Sequence, residues 1–357
     1  MPSQDRHVTA YAPGRVELLG NHTDYNEGVV LGAAIDRGLT ISGRARDDGL
    51  ISLRSKSREP IDVAVAELQP QTGEKRWANY PLGVAAELIA RGTPIRGFSA
   101  KIDSDIPAGI GLSSSAAFEV ATAFFLLKLY QRELPLLDIA KICQKAEHTF
   151  AGVKSGLLDQ VMSIFGKADH VIFFDSRTEE VRTIPFPKDL ALIIAESETK
   201  RELVSGKYNE RREETRAAAQ ALGVHALRDV SLADLNQHVD LAPVLRRRAA
   251  HVIGENERVG RALELLEAGD GIGLGELMNA SHESSRTNFE NSSIEQDLLV
   301  DLAREIPGVL GSRLTGGGFG GATVTLCSRD KAEDIAKTLR AALANRIFIC
   351  RVAGGAR

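Results

Sequence analysis

Residues 107–117 read PAGIGLSSSAA, with Gly109 and Gly111 directly ahead of Ser113, Ser114 and Ser115, and a helix-forming run follows over 116–121. The pattern predicts a loop feeding a helix. Glycine lets the backbone approach an anion through dihedrals closed to other residues. The first-turn N–H groups of a helix lack internal partners and sit at the positive end of its dipole, so they form an anion site. Three hydroxyls add donors, and one can reach a magnesium ion. The same stretch also fits a tight turn with a serine N-cap. No Lys follows the glycines, so it is not a Walker loop, and the third glycine of the dinucleotide fingerprint is missing.

At 357 residues the chain exceeds the size at which single cores stop growing, which predicts two domains with a cleft between them. A net charge of −4 with 26% charged residues gives no reason to expect nucleic acid or an anionic membrane as partner. Cys143, Cys327 and Cys350 are widely spaced, odd in number and without metal-ligand spacing. They read as core thiols in a reducing compartment. The first residues lack the apolar segment of a signal peptide, and no run approaches the roughly 18 apolar residues of a membrane span. The chain is therefore expected to be cytoplasmic and partnered by small molecules; a monomer is the expected state, on which charge and hydropathy are silent.

Residues 12–28 read APGRVELLGNHTDYNEG. Dense in hydrogen-bonding side chains and framed by glycines, the loop suits a polyhydroxyl ligand, with Asp accepting and Arg and His donating; a solvated turn with Asx caps is the other reading. Strands are expected at 29–35, 38–42, 49–54, 98–102, 170–176, 190–196, 322–326 and 346–352. Helices are expected at 82–90, 114–131, 135–150, 201–221, 245–268, 275–283 and 331–345. The second of these carries Val120, Phe124, Leu127 and Tyr130 as a buried stripe; the fourth reads mostly as a solvated face. Residues 269–273 read as a glycine-rich turn. Asp159 stands among Leu157, Leu158, Val161 and Met162, and a carboxylate so framed is costly to bury without a partner; capping a nearby turn is the alternative. Near the end, Gly316, Gly317, Gly318, Gly320 and Gly321 surround Phe319. Such a backbone can press close to a transferring phosphoryl group, or it is a flexible turn.

In combination, GRVELLGNHTDYNEG resembles the galactokinase signature, and PAGIGLSSSAA resembles the nucleotide motif of the wider GHMP small-molecule kinase family. The similarity extends through WANY at Trp77, EHTFAGVKSGLLDQ at Glu147 and SHESSRTNFENSSIEQD at Ser281, covering nearly all of the chain. The resemblance implies an α+β fold of two domains. Residues 1–186 would form an N-terminal ribosomal protein S5-like α/β domain and residues 187–357 a C-terminal ferredoxin-like α+β domain. It further implies ATP-dependent phosphorylation of the C1 hydroxyl of galactose. Asp159 would accept the hydroxyl proton, with Arg15 beside it. Asn21, His22, Thr23, Asp24 and Tyr208 would contact the sugar. Gly109, Ile110, Gly111, Leu112, Ser113, Ser114 and Ser115 would cradle the phosphates, Ser57 and Trp77 would flank the nucleotide, and Ser115 and Glu147 would hold Mg²⁺.

Two departures matter. The family's common signature has Asn where this chain has Glu17, and Glu where it has Asn21. If both side chains reach the same hydroxyl region, the sugar site survives with its polarity rearranged; if only Asn21 reaches the sugar, loss of the acceptor carboxylate shifts preference at the exocyclic C6 group, toward a related substrate such as N-acetylgalactosamine, galacturonate or a pentose. A non-catalytic galactose and ATP sensor is the reading from another class. Against it, Ser113, Ser114, Ser115 and Ala116 are all present, as are Arg15 and Asp159. A dinucleotide-dependent dehydrogenase fails on the order of strand, fingerprint and distal acid.

Overall fold

Alternation over residues 98–104 buries Phe98, Ala100 and Ile102 and turns Lys101 and Asp103 to solvent, the pattern of a strand with one covered face. In the computed structural model, which describes residues 6–56, 58–107, 109–197, 204–343 and 346–357, that segment belongs to a seven-stranded sheet. Its members are β1 (Val8–Leu19), β2 (Val29–Ala45), β3 (Leu50–Ser55), β4 (Arg58–Ala64), β5 (Phe98–Ser104), β6 (His170–Asp175) and β7 (Val181–Pro185). The order is β4-β3-β5-β2-β6-β7, with β1 pairing β2 off this path. Only β3 and β5 run parallel among these pairs.

The first half carries helices α1 (Asn79–Ala90), α2 (Ser114–Leu129), α3 (Leu136–Ala146) and α4 (Leu158–Phe165). α2 is buried around its circumference, Glu119 and Thr122 included, so the expected stripe is in fact a core helix packed on β1 and β2. The helix expected over 135–150 ends at Ala146 and continues as one π turn, Glu147–Ala151.

The chain leaves the first sheet at Pro185 and enters a second, four-stranded antiparallel sheet at Leu190. Its strands are β8 (Leu190–Glu196), β9 (Val309–Thr315), β10 (Ala322–Ser328) and β11 (Ile347–Cys350), in the order β11-β8-β10-β9. Between and after these lie α5 (Val204–Ala221), α6 (Leu232–Gln237), α7 (Pro243–Ala268), α8 (Gly271–Ser284), α9 (Ile294–Arg304) and α10 (Ala332–Leu343). α9 and α10 bury Leu299, Ile335 and Leu339 against Ile193 and Ile347. The last residues return to the first sheet, where Ala353 N donates to Ala34 O and the backbones of Arg357 and Tyr11 exchange bonds at 2.9 Å.

The glycine-rich turn expected at 269–273 is shorter. Gly269 caps α7 in the left-handed region, and the Asp270 side chain accepts from Gly273 N to start α8. Gly271, Gly273 and Gly275 therefore lie inside a helix. α8 lies flush on β9 because Gly275 faces the Leu310 carbonyl and Gly311 faces Gly275, leaving no room for a Cβ. Cys143, Cys327 and Cys350 are buried free thiols. Among the described residues no helix is long and apolar enough to cross a membrane. Replacing Gly275 with alanine is expected to cost about 1–3 kcal/mol by forcing α8 off the sheet, read as a lower urea midpoint.

Candidate active site

The β1–β2 pairing shifts register between Pro13 and Arg15 and again between Glu17 and Leu19. Bulges re-aim side chains. Arg15 and Glu17, two residues apart and so on one face, enter a cleft of about 550 Å³ lined from both halves of the chain. Asp159 meets Arg15 there from the first turn of α4, where the helix dipole favours a carboxylate. Arg15 Nε donates to Asp159 Oδ1 at 2.7 Å, and Nη2 approaches the same oxygen at 2.5 Å. Ser113 Oγ donates to Oδ2, and Arg15 Nη1 donates to the Gly111 carbonyl at 2.5 Å. Each carboxylate oxygen thus has a fixed donor.

The loop ahead of α2 is more than a capped turn. Ser113 precedes the helix in the left-handed region, φ +55°, and makes no capping bond; its hydroxyl goes to Asp159 instead. Gly109 and Gly111, φ +80° and +85°, bend the backbone along the cleft while Ile110 and Leu112 point into the core. Ser114 and Ser115 open the helix at the cleft wall, so its free first-turn N–H groups make an anion site. From the other half, Gly316 and Gly317 complete the wall, and the Gly316 backbone stands against Arg15 and the Gly111 carbonyl.

Glu147, at the head of the π turn, lines the same cleft. Burial, with Asp159's charge adding, pushes its carboxyl up to about 7, while Ser155, Gln160 and Ser115 oppose the shift by hydrogen bonding. A carboxylate beside a serine hydroxyl, both facing an anion site, is an oxygen donor set that fits a hard cation completed by phosphate and water. No group of three or more His, Cys, Asp or Glu able to hold a metal occurs among the described residues.

Residues 20–28 hang from α7: Glu255 Oε2 accepts the N–H groups of Gly20 and Asn21, both at 2.8 Å, and Asn256 Oδ1 accepts Val29 N–H. His22 takes φ +61° and tilts over Tyr208 and Phe289 at 4.9 and 4.5 Å. Burial lowers its pKa to about 3, so the ring is neutral. Its partners assign the tautomer: Nε2–H donates to Gly317 O at 3.0 Å, and Nδ1 accepts from Tyr25 OH at 2.7 Å. His22 therefore offers shape to a ligand, not the free donor its residue type suggests. Asp24 stands in the cleft with its carboxyl raised to about 6, by burial first and then by Asp159's charge. Tyr208 lines the opposite wall from α5. That helix is less solvated than expected, since Arg211 is buried and donates to Phe289 O.

The cleft thus gathers Arg15, Asn21, His22, Asp24, Gly109, Gly111, Ser113, Ser114, Ser115, Glu147, Asp159 and Tyr208. Thr23 stays outside, its hydroxyl turned to the carbonyls of Gly20 and Val29 to close the turn. Trp77 also stays outside, its ring parallel to Phe118 at 6.1 Å between centroids; its neighbour Arg76 reaches the cleft instead. Ser57 falls outside the described residues. Arg76, Tyr80, Ser155 and Gly156 line the cleft without having been singled out, although the last two lie in the GVKSGLLDQ stretch just ahead of Asp159.

Three family models match: the galactokinase galactose-binding signature over residues 3–45, the GHMP kinases N terminal domain over 79–167 and the GHMP kinases C terminal domain over 262–345. The chain is 43% identical to human galactokinase, covering 90% of this chain and 84% of the relative. It is 40% identical to the galactokinase of Roseiflexus sp., covering 98% and 92%. The crystal structure of Lactococcus lactis galactokinase complexed with galactose superposes with a TM-score of 0.94 at 31% identity, covering 99% of this chain and 96% of that one. The Methanococcus jannaschii mevalonate kinase shares the fold, at a TM-score of 0.72 and 21% identity.

A Cβ at Gly156 would overlap the Asp24 carboxylate. Gly156→Ala is therefore expected to displace Asp24 and lower kcat/KM for the sugar by about ten- to hundredfold, with a thermal melt within a few degrees of the native chain.

Proposed function

The chain belongs to the galactokinase branch of the GHMP kinases, and from that membership we propose how its residues carry out the reaction. It phosphorylates galactose at the C1 hydroxyl with ATP. One observation supports the assignment of parts above all others: Arg15, Ser113 and Gly316 converge on Asp159 or its guanidinium partner from three distant segments.

In the proposed mechanism, galactose sits between Asp24 and Asp159, bounded by His22 and Tyr208. Asp159 takes the C1 hydroxyl proton as the oxygen–phosphorus bond forms and the bond to ADP breaks. Held by Arg15 and Ser113, its carboxylate needs no reorientation during the step, and such a base typically contributes about 10²–10⁴-fold. Arg15, already pointed at the loop carbonyl of Gly111, offsets charge on the moving phosphoryl group. The backbone from Gly109 to Ser115 receives the phosphates, where little covalent chemistry is required and positioning does most of the catalysis. Ser115 and Glu147 would hold Mg²⁺, which would neutralise phosphate charge when bound. Residues 1–186 and 187–357 are assigned as the two domains flanking the site. The three buried thiols support a reducing, cytoplasmic compartment.

Asp159→Asn is expected to lower kcat by about 10²–10⁴-fold while galactose affinity, measured calorimetrically, stays within about threefold. Native-like turnover in that variant would remove Asp159 from the role of base. Background ATP turnover with galactose in the native chain would overturn the substrate itself.

A further inference from the structure

We propose that Glu17, a residue of strand β1, supplies the carboxylate that reads a sugar hydroxyl remote from the anomeric carbon, in place of the loop residue Asn21. The inference rests on the sugar-kinase reading of the cleft. It starts from what Asn21 has left to offer. Its Nδ2 donates to Glu17 Oε1 at 2.8 Å and to Gly316 O at 2.9 Å, and its Oδ1 accepts from Asn291 Nδ2 at 2.9 Å. Both amide hydrogens are used, and the residue is fully buried. Asn21 is a brace.

Glu17 is half used. Oε1 receives Asn21 and Arg313 Nη1, the latter at 3.1 Å, whereas Oε2 accepts no hydrogen bond among the described residues, and the side chain lines the cleft. Its position fits a sugar already held at C1. Arg15 grips Asp159, and Glu17 is the next residue on the same face of β1, about 6.6 Å along the strand. Asp159 and Glu17 both line the one cleft, so a sugar held at C1 by the first has the second within the same enclosure.

Arg313 explains why the carboxylate could not simply be lost. It is fully buried on β9, donates to Glu17 Oε1 and Leu18 O, and among the described residues has no partner at Nε or Nη2. Glu255 lies near enough to feel its charge, but Glu17 is the carboxyl group that accepts its hydrogen bond, and removing one partner of a buried pair is destabilising. The exchange of Asn and Glu between positions 17 and 21 keeps one carboxyl group beside Arg313. It moves the acceptor from a loop to a strand whose backbone is pinned, with Glu17 N–H donating to Thr315 Oγ1 at 2.8 Å.

The test compares kcat/KM for galactose with its 3-, 4- and 6-deoxy analogues in the native chain and in Glu17→Gln. The native enzyme is expected to lose at least tenfold on one analogue. Glu17→Gln is expected to raise KM for galactose about ten- to hundredfold, to process galactose and that analogue within twofold of each other, and to keep KM for ATP within twofold. A merely structural role would leave the discrimination intact, and a folded Glu17→Gln that still rejects the analogue overturns the proposal. Should Glu17→Gln not fold, E17M/R313M removes the acceptor and the buried cation together, and the same loss of discrimination is required of it. Native turnover that is equal on galactose and every deoxy analogue sinks the inference alone, whereas no turnover of galactose sinks the kinase reading beneath it.

Discussion

The pairing of Arg15 with Asp159 is the constraint on which the rest of the site depends. Arg15 is 4% exposed, and a guanidinium that deep is tolerable only when its donors are met by charge and by carbonyl oxygen. Asp159 meets two of them and Gly111 a third, while Arg15 N–H also donates to Leu112 O. The same residue therefore positions Asp159, the proposed base, by its side chain and the Gly109–Ser115 loop by both side chain and backbone. Displacing α4 would leave an unpaired buried charge and displacing the loop would leave buried donors unmet, so strand, loop and helix hold one another in register.

A second layer of buried charge supports the sugar end. Glu255, held ionised by Arg258 and Arg313 despite its burial, satisfies two backbone N–H groups of the loop that carries His22 and Asp24. His251 packs against Phe289 and meets Asn21 O, and burial keeps His251 and His282 neutral, with pKa values lowered to about 3. Neutral imidazoles beside Arg313 avoid like-charge repulsion in a low-dielectric seam, where it would be most costly. The loop is irregular, yet the N–H groups of Gly20, Asn21, Thr23, Tyr25, Asn26 and Gly28 are paired, which lets it present side chains in one arrangement.

How much of this was legible in the chain differs by the kind of signal. PAGIGLSSSAA announced both the loop and α2, because glycine spacing and helix propensity are local properties. Asp159 stood out as a carboxylate in an apolar frame, and its partner Arg15 came with the family signature. Strand β9 and helix α9 went unmarked, since a glycine inside β9 and a polar lead into α9 blur their periodicity. Thr23, Trp77 and His22 show the limit from the other side. Each is a residue type that binds ligands readily, but whether it is available depends on tertiary neighbours: Val29 O takes the Thr23 hydroxyl, Tyr25 and Gly317 take the two ring nitrogens of His22, and the Trp77 ring is buried parallel to Phe118. Sequence order carries no record of such pairings.

The two π turns show how each half of the chain delivers a residue that α-helical geometry would misplace. α3 widens into Glu147–Ala151 and α8 into Ser285–Phe289, and each turn ends on a left-handed residue, Gly152 and Glu290. Single π turns inside or at the end of helices recur at functional sites because one extra residue per turn rotates the chain beyond it. In the first half Glu147 enters the cleft at the head of the widened turn, and the chain beyond it brings Ser155 back to the Glu147 carboxyl. In the second it sets Phe289 beneath His22 and sends Asn291 to Asn21. One turn thus shapes the proposed nucleotide end and the other the proposed sugar end. Both lie at helix termini, where a lost i→i−4 bond costs least because the last carbonyls are unpaired in any case. Placing the distortion there gives the cleft its geometry without weakening the helices that frame it.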